Sequence, residues 1–142
     1  GRYAEVKLGE IPVAVLAPET FMNDSGRSVG ACARDLRLPI DEIVVIYDDI
    51  ELNPGVVRAR EGGGLKGHNG LRSMADAFGS PDFVRVRCGV GRPGKGDRRD
   101  VAAYVLAGFE PEEDPDALAH EAARCAETII VEGIDTALQR WP

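Results

Sequence analysis

The 142-residue chain is 44% hydrophobic and 29% charged, the balance of a domain that buries a core, with a net charge of −7. No apolar run reaches the roughly 18–20 residues a membrane-spanning helix needs, and the opening GRYAEVKLGE lacks the pattern of a secretory signal. Three cysteines (Cys32, Cys88, Cys125), odd in number and without CxxC spacing, point to buried reduced thiols in a cytosolic protein rather than disulfides or a metal centre.

Ala4–Leu8 and Ile11–Leu16 are apolar-rich runs separated by Gly9-Glu10, so a hairpin is expected. Asn23, Asp24 and Ser25 offer N-caps for a helix with apolar spacing at Val29, Cys32, Ala33 and Leu36, ended by Pro39. Ile43–Tyr47 is a continuous β-branched run, expected as a buried central strand, and Val56–Arg60 alternates weakly, as an edge strand would. Leu71–Phe78 suits a helix stopped by Gly79. Phe83–Val90 alternates with period 2, placing Phe83, Arg85, Arg87 and Gly89 on one face and Val84, Val86, Cys88 and Val90 on the other. After a glycine- and arginine-rich loop over 91–99, Asp100 caps a short helix through Leu106. Pro115 begins a longer helix to about Glu132, with an apolar stripe at Leu118, Ala122, Cys125 and Ile129. This order predicts one α/β domain over residues 1–142, a three-layer sandwich with a mixed central β-sheet and helices on both faces.

The charge is unevenly spread. Residues 56–99 hold ten basic and four acidic side chains, so this window is +6 while the remainder is −13. Such a concentration marks either a polyanion-facing surface or a merely solvated basic face.

Three stretches hold candidate chemistry. EGGGLKGHNG (61–70) satisfies GxGxxG at Gly62, Gly64 and Gly67, but Arg58 and Arg60 interrupt the strand before it and no acidic residue closes the next strand. The phosphate-loop pattern fails, because Lys66 follows Leu65 and no Ser or Thr comes next. What remains is mobile backbone leading to His68 and Asn69 at a helix entrance, where Asn69 either caps the helix or orients a water or carbonyl. In IYDDIELNPG (46–55), Asp48, Asp49 and Glu51 follow an apolar strand; they orient a histidine, ligate a cation or form a solvated turn. In PETFMNDSG (18–26), Phe21 and Met22 are either a hydrophobic staple or a pocket wall beside Asn23. Arg85 and Arg87 share a face that meets a phosphate or pairs with nearby acids. His120 lies among acids, leaving His68 as the one histidine suited to catalysis, and no serine or cysteine has a nucleophile's context.

Taken together, TFMNDSG, YDDIELNPG, the stretch ending GHNGL, and FVRVRCGVGRP followed by VAAYVL resemble the bacterial peptidyl-tRNA hydrolase family in order and spacing along essentially the whole chain. The resemblance implies a mixed sheet flanked by helices and cleavage, without metal or cofactor, of the ester joining a peptide to the 3′ ribose of tRNA. It implies a cytoplasmic monomer whose partner is peptidyl-tRNA, self-association through an exposed sheet edge being the alternative. By position, Asp48 matches the acid that orients the catalytic histidine, and Asn23 and Asn69 the amides that hold the ester end and position the water. Phe21, Met22 and His68 match the neighbouring substrate-binding wall. Arg58, Arg60, Lys66 and Arg87 fall where the family places basic groups near tRNA phosphates, in agreement with the +6 window. The family opens with a strand, a GNPG-type loop and a Thr-Arg-His-Asn stretch carrying the catalytic histidine, whereas this chain starts on what resembles the second strand. A shortened domain with little or no hydrolysis by itself is therefore expected, and a non-catalytic RNA-binding or scaffolding relative is the competing expectation.

Overall fold

The computed structural model describes residues 2–17, 25–65, 68–91 and 115–142. The chain divides into two compact units, Gly1–Val44 with Glu61–Val84, and Val45–Arg60 with Arg85–Pro142.

The first unit begins with the expected hairpin. Strands β1 (Arg2–Leu8) and β2 (Ile11–Ala17) pair antiparallel from Arg2↔Ala17 to Leu8↔Ile11, and Gly9 makes the turn at φ 62°. Opposed residues share a face, so Ala4, Val6 and Leu8 stand with Val15, Val13 and Ile11 as one apolar surface. It is largely uncovered, with Val6 and Val15 43% and 50% exposed. Helix α1 (Ser25–Leu36) ends at Leu36, as expected, two residues before the residue that precedes Pro39. Arg37 adopts the left-handed conformation at φ 57°, while Leu38 N–H reaches Ala33 O at 2.9 Å and Arg37 N–H reaches Arg34 O at 3.1 Å. That is a Schellman stop built without glycine. A 3₁₀ turn at Ile40–Glu42, missed in the sequence, follows. Helix α2 (Asn69–Phe78) stops at Gly79, φ 72°, as expected. The two helices meet closely: Gly26 N–H donates to Ser73 Oγ at 2.8 Å, and a Cβ at Gly26 would run into the Ser73 carbonyl.

Strands β3 (Val44–Asp49), β4 (Val57–Glu61) and β5 (Val84–Gly89) form a sheet in the order β3-β5-β4. Val84 N–H donates to Ile43 O (3.3 Å) and Val90 N–H to Asp49 O (3.1 Å), so β3 and β5 run parallel. Gly62 N–H reaches Phe83 O while Gly89 N–H reaches Val56 O, the reversed order of an antiparallel pair. The sheet is therefore mixed, as expected, and β4 is an edge among the described strands. The expectation for Ile43–Tyr47 needs correction: β5, not β3, is the central described strand, and Ile46 is 53% exposed. A β-branched run is buried on both faces only where other elements cover both, and here that place belongs to Val84–Gly89.

Helix α3 (Pro115–Glu132) has the predicted bounds and buries the predicted stripe, Leu118, Ala122, Cys125 and Ile129. A further helix, α4 (Ile134–Arg140), escaped the sequence analysis. Its signal was the spacing of Ile134, Ala137, Leu138 and Trp141; Ala137 and Trp141 are buried. The short helix expected after Asp100, and the loop over 91–99 beyond Gly91, lie outside the described residues. No helix among the described residues is long and apolar enough to cross a membrane.

Candidate functional site

The acidic segment sits at the carboxyl end of β3, and strand alternation separates its two aspartates. Asp49, 6% exposed, accepts Arg87 Nε at Oδ2 (2.8 Å) and Glu51 N–H at Oδ1 (2.8 Å). Asp48 falls on the opposite face, half-buried, close enough to Cys88 to raise that thiol's pKa. The turn beyond is stitched to the end of β5: Gly91 N–H donates to Leu52 O at 2.9 Å and Gly55 N–H to Gly89 O at 3.1 Å. Gly89 is required there, because a Cβ would collide with the Asn53 carbonyl.

The arginine face of β5 lies against this segment. Arg85 is 1% exposed and hydrogen-bonds Tyr47, whose phenol is pushed up chiefly by burial and then by Asp49. Both partners of the Arg87–Asp49 pair are mostly buried, the side chains 14% and 6% exposed. Of the two options for these arginines, pairing with a nearby acid is thus realised for Arg87, which holds the β3 terminus. Sequence reasoning did not foresee that Asp49 would pair with Arg87. Asp48, Asp49 and Glu51 do not converge, and among the described residues no group of three His, Cys, Asp or Glu side chains could hold a metal ion.

On β4, Val57 and Ala59 are buried while Arg58 is half-buried and Arg60 exposed, so the two arginines share the outer face. The strand's antiparallel pairing with β5 rules out the parallel β-α-β unit that the GxGxxG reading needs. The glycine stretch bends at Gly62 (φ 66°) and Gly63 (φ 112°), and Lys66 and Gly67 lie outside the described residues.

At the start of α2, the cap is not Asn69. His68 is the N-cap, and its Nδ1 accepts Leu71 N–H at 3.2 Å. Asn69 is the first helical residue. His120 is exposed on α3. Phe21, Met22 and Asn23 lie outside the described residues. Neither buried thiol offers a nucleophile: burial pushes both Cys88 and Cys125 up to about 11. Within the second unit the fold thus brings together Asp48, Asp49, Arg87 and the basic strand, and within the first it sets His68 beside Asn69.

A family model described as peptidyl-tRNA hydrolase matches residues 1–142. The chain is 54% identical over 99 residues to the peptidyl-tRNA hydrolase of Geotalea daltonii, covering 70% of this chain and 50% of the relative. It is 43% identical over 142 residues to that of Mycobacterium avium, covering 96% and 73%. Among solved structures, peptidyl-tRNA hydrolase from Acinetobacter baumannii superimposes with a TM-score of 0.83 at 30% identity, covering 97% of this chain and 70% of that one. The matched region thus spans between half and about three quarters of the length of these relatives.

Proposed function

The chain belongs to the peptidyl-tRNA hydrolase family, whose members hydrolyse the ester of peptidyl-tRNA, and from that premise we propose that these residues form one hydrolase domain that releases peptide from tRNA in the cytoplasm, as a monomer. A water adds to the ester carbonyl carbon, a histidine takes its proton, and the ribose 3′ oxygen leaves as the hydroxyl of free tRNA. Asp48 orients and stabilises that histidine, Asn23 and Asn69 hold the ester end and the water, and Phe21, Met22 and His68 line the adjoining wall. Arg58, Arg60 and Lys66 draw in the tRNA phosphates, while Arg87 holds the end of β3 through Asp49. The observation that carries this reading is the separation of the two aspartates at the end of β3. Asp49 is committed to Arg87 and the turn, whereas Asp48 stands half-buried on the opposite face of β3, the position that matches the family's histidine-orienting acid.

Neither histidine of the chain suits the base: His68 Nδ1 caps α2 and His120 is exposed on α3. The base comes from a Thr-Arg-His-Asn segment beyond these 142 residues, and the chain by itself turns over slowly. The test is peptide release from peptidyl-tRNA by this chain and by a version preceded by that segment. The longer version is expected to be at least about 10²-fold faster; equal rates would sink the proposal for the base. In the longer version, Asp48→Asn, Asn23→Ala and Asn69→Ala should each lower kcat/KM about 10²-fold, and unchanged turnover in any of them removes that residue's role.

A further inference from the structure

The outer edge of β4 is closed by the chain's own end. Ala59 N–H, on the side of β4 away from β5, donates to the backbone carbonyl of Trp141 at 2.8 Å. Trp141 is itself fixed at several points. Its amide donates to Ala137 O at 2.8 Å, its indole N–H donates to Glu121 Oε1 at 2.7 Å, and the Arg124 guanidinium lies 5.9 Å from the ring centroid. The ring is 6% exposed, so this is packed structure rather than a surface contact.

Ala59 stands between Arg58 and Arg60. In the antiparallel register the backbone groups of Arg58 and Arg60 face β5, those of Ala59 face Trp141, and the arginine side chains project from the outer face. The strand is gripped from both sides at the point where its two cations stand. An edge strand held from one side only is free to twist and fray, and with it the spacing of charges that a phosphate backbone must match.

We infer that Trp141 is a positioning residue for RNA, holding β4 so that Arg58 and Arg60 present a fixed pair of cations to successive phosphates. The inference deepens the proposed function and rests on its assignment of Arg58 and Arg60 to tRNA phosphates. It predicts that a neutral change 82 residues away along the chain from Ala59 alters an electrostatic quantity.

The experiment is titration of the chain with a 5′-phosphorylated RNA hairpin carrying an acceptor stem and a single-stranded 3′ end, at several salt concentrations. Trp141→Ala should weaken binding about tenfold at low salt and reduce the slope of log K against log salt by about 1, the signature of a lost phosphate contact. Trp141→Phe, which keeps the packed ring and the backbone carbonyl, should restore both. Arg58→Gln with Arg60→Gln reports on the underlying assignment. If that pair weakens binding while Trp141→Ala changes neither affinity nor slope, the positioning role is overturned and the phosphate role stands. If the arginine pair changes nothing, the phosphate role falls and the inference with it. A measurement on the unaltered chain covers the case in which Trp141→Ala fails to fold. By reciprocity, RNA must tighten the docking as docking tightens RNA, so hydrogen exchange at the Ala59 amide should slow severalfold when RNA is added. Exchange at the same rate with and without RNA overturns the inference.

Discussion

The β1–β2 hairpin and the three-stranded sheet are written in similar residues and end in different surroundings. Along β5, Val84, Val86 and Cys88 on one face and Arg85 on the other are all buried. Across the hairpin, Val6, Ile11 and Val15 lie on a continuous apolar face and remain 38–50% exposed. Alternation states which side chains share a face; it does not state whether another element covers that face. Covering it is what contributes stability, at about 1.5–3 kcal/mol for each large apolar side chain fully buried.

The comparison is open to direct attack with substitutions of matched chemistry. The largest effect is expected at Asp49→Ala, which leaves the mostly buried Arg87 without its counter-charge and the Glu51 N–H without its acceptor; urea unfolding should show a loss of about 3–5 kcal/mol. Its hairpin counterpart, Glu5→Ala, removes only the acceptor of an exposed Tyr3 hydroxyl and should leave the midpoint where it was. Next comes Val86→Ala on the central strand, where lost methyl groups and the cavity together should cost about 2 kcal/mol in the same measurement. A smaller effect concerns pH. Cys88 and Cys125 keep their protons to about 11 when folded, whereas unfolded thiols release theirs near 9.0. The folded chain then holds more protons in between, so stability should fall as pH rises from about 9 to 11, and Cys125→Ala should flatten that decline. Smallest of all is Val15→Ala in the hairpin, expected within about 0.5 kcal/mol. A loss above about 2 kcal/mol there would mean that the apolar face is covered in solution, and the contrast between the two regions would collapse.

Much of this architecture could be read before any coordinates. Gly9-Glu10 announced the hairpin turn, Gly79 the end of α2, and the spacing of Leu118, Ala122, Cys125 and Ile129 the buried side of α3, because each rests on interactions between near neighbours in sequence. Strand order is different. Nothing in Ile43–Tyr47 states that Val84–Gly89 will take the central place, since that depends on which segments lie beside it. The candidate site divides in the same way. Asp48 and Asn69 were singled out by motif and position, but the pairing of Asp49 with Arg87 joins residues 38 apart in sequence. The capping of α2 by His68 rather than Asn69 depends on which residue is the first helical one, and apolar spacing does not fix a helix start to one residue.

The buried end of the chain has one more consequence. The sequence holds a single tryptophan, and it is the residue whose carbonyl closes β4. Its indole is shielded from water, with a carboxylate at the N–H and a guanidinium over the ring. Light absorbed at the red edge of this chain's spectrum is therefore emitted from one site, and the colour and yield of that emission belong to the docked Trp141. The molecule carries its own dye at the edge of its basic strand, and undocking there is visible without any label.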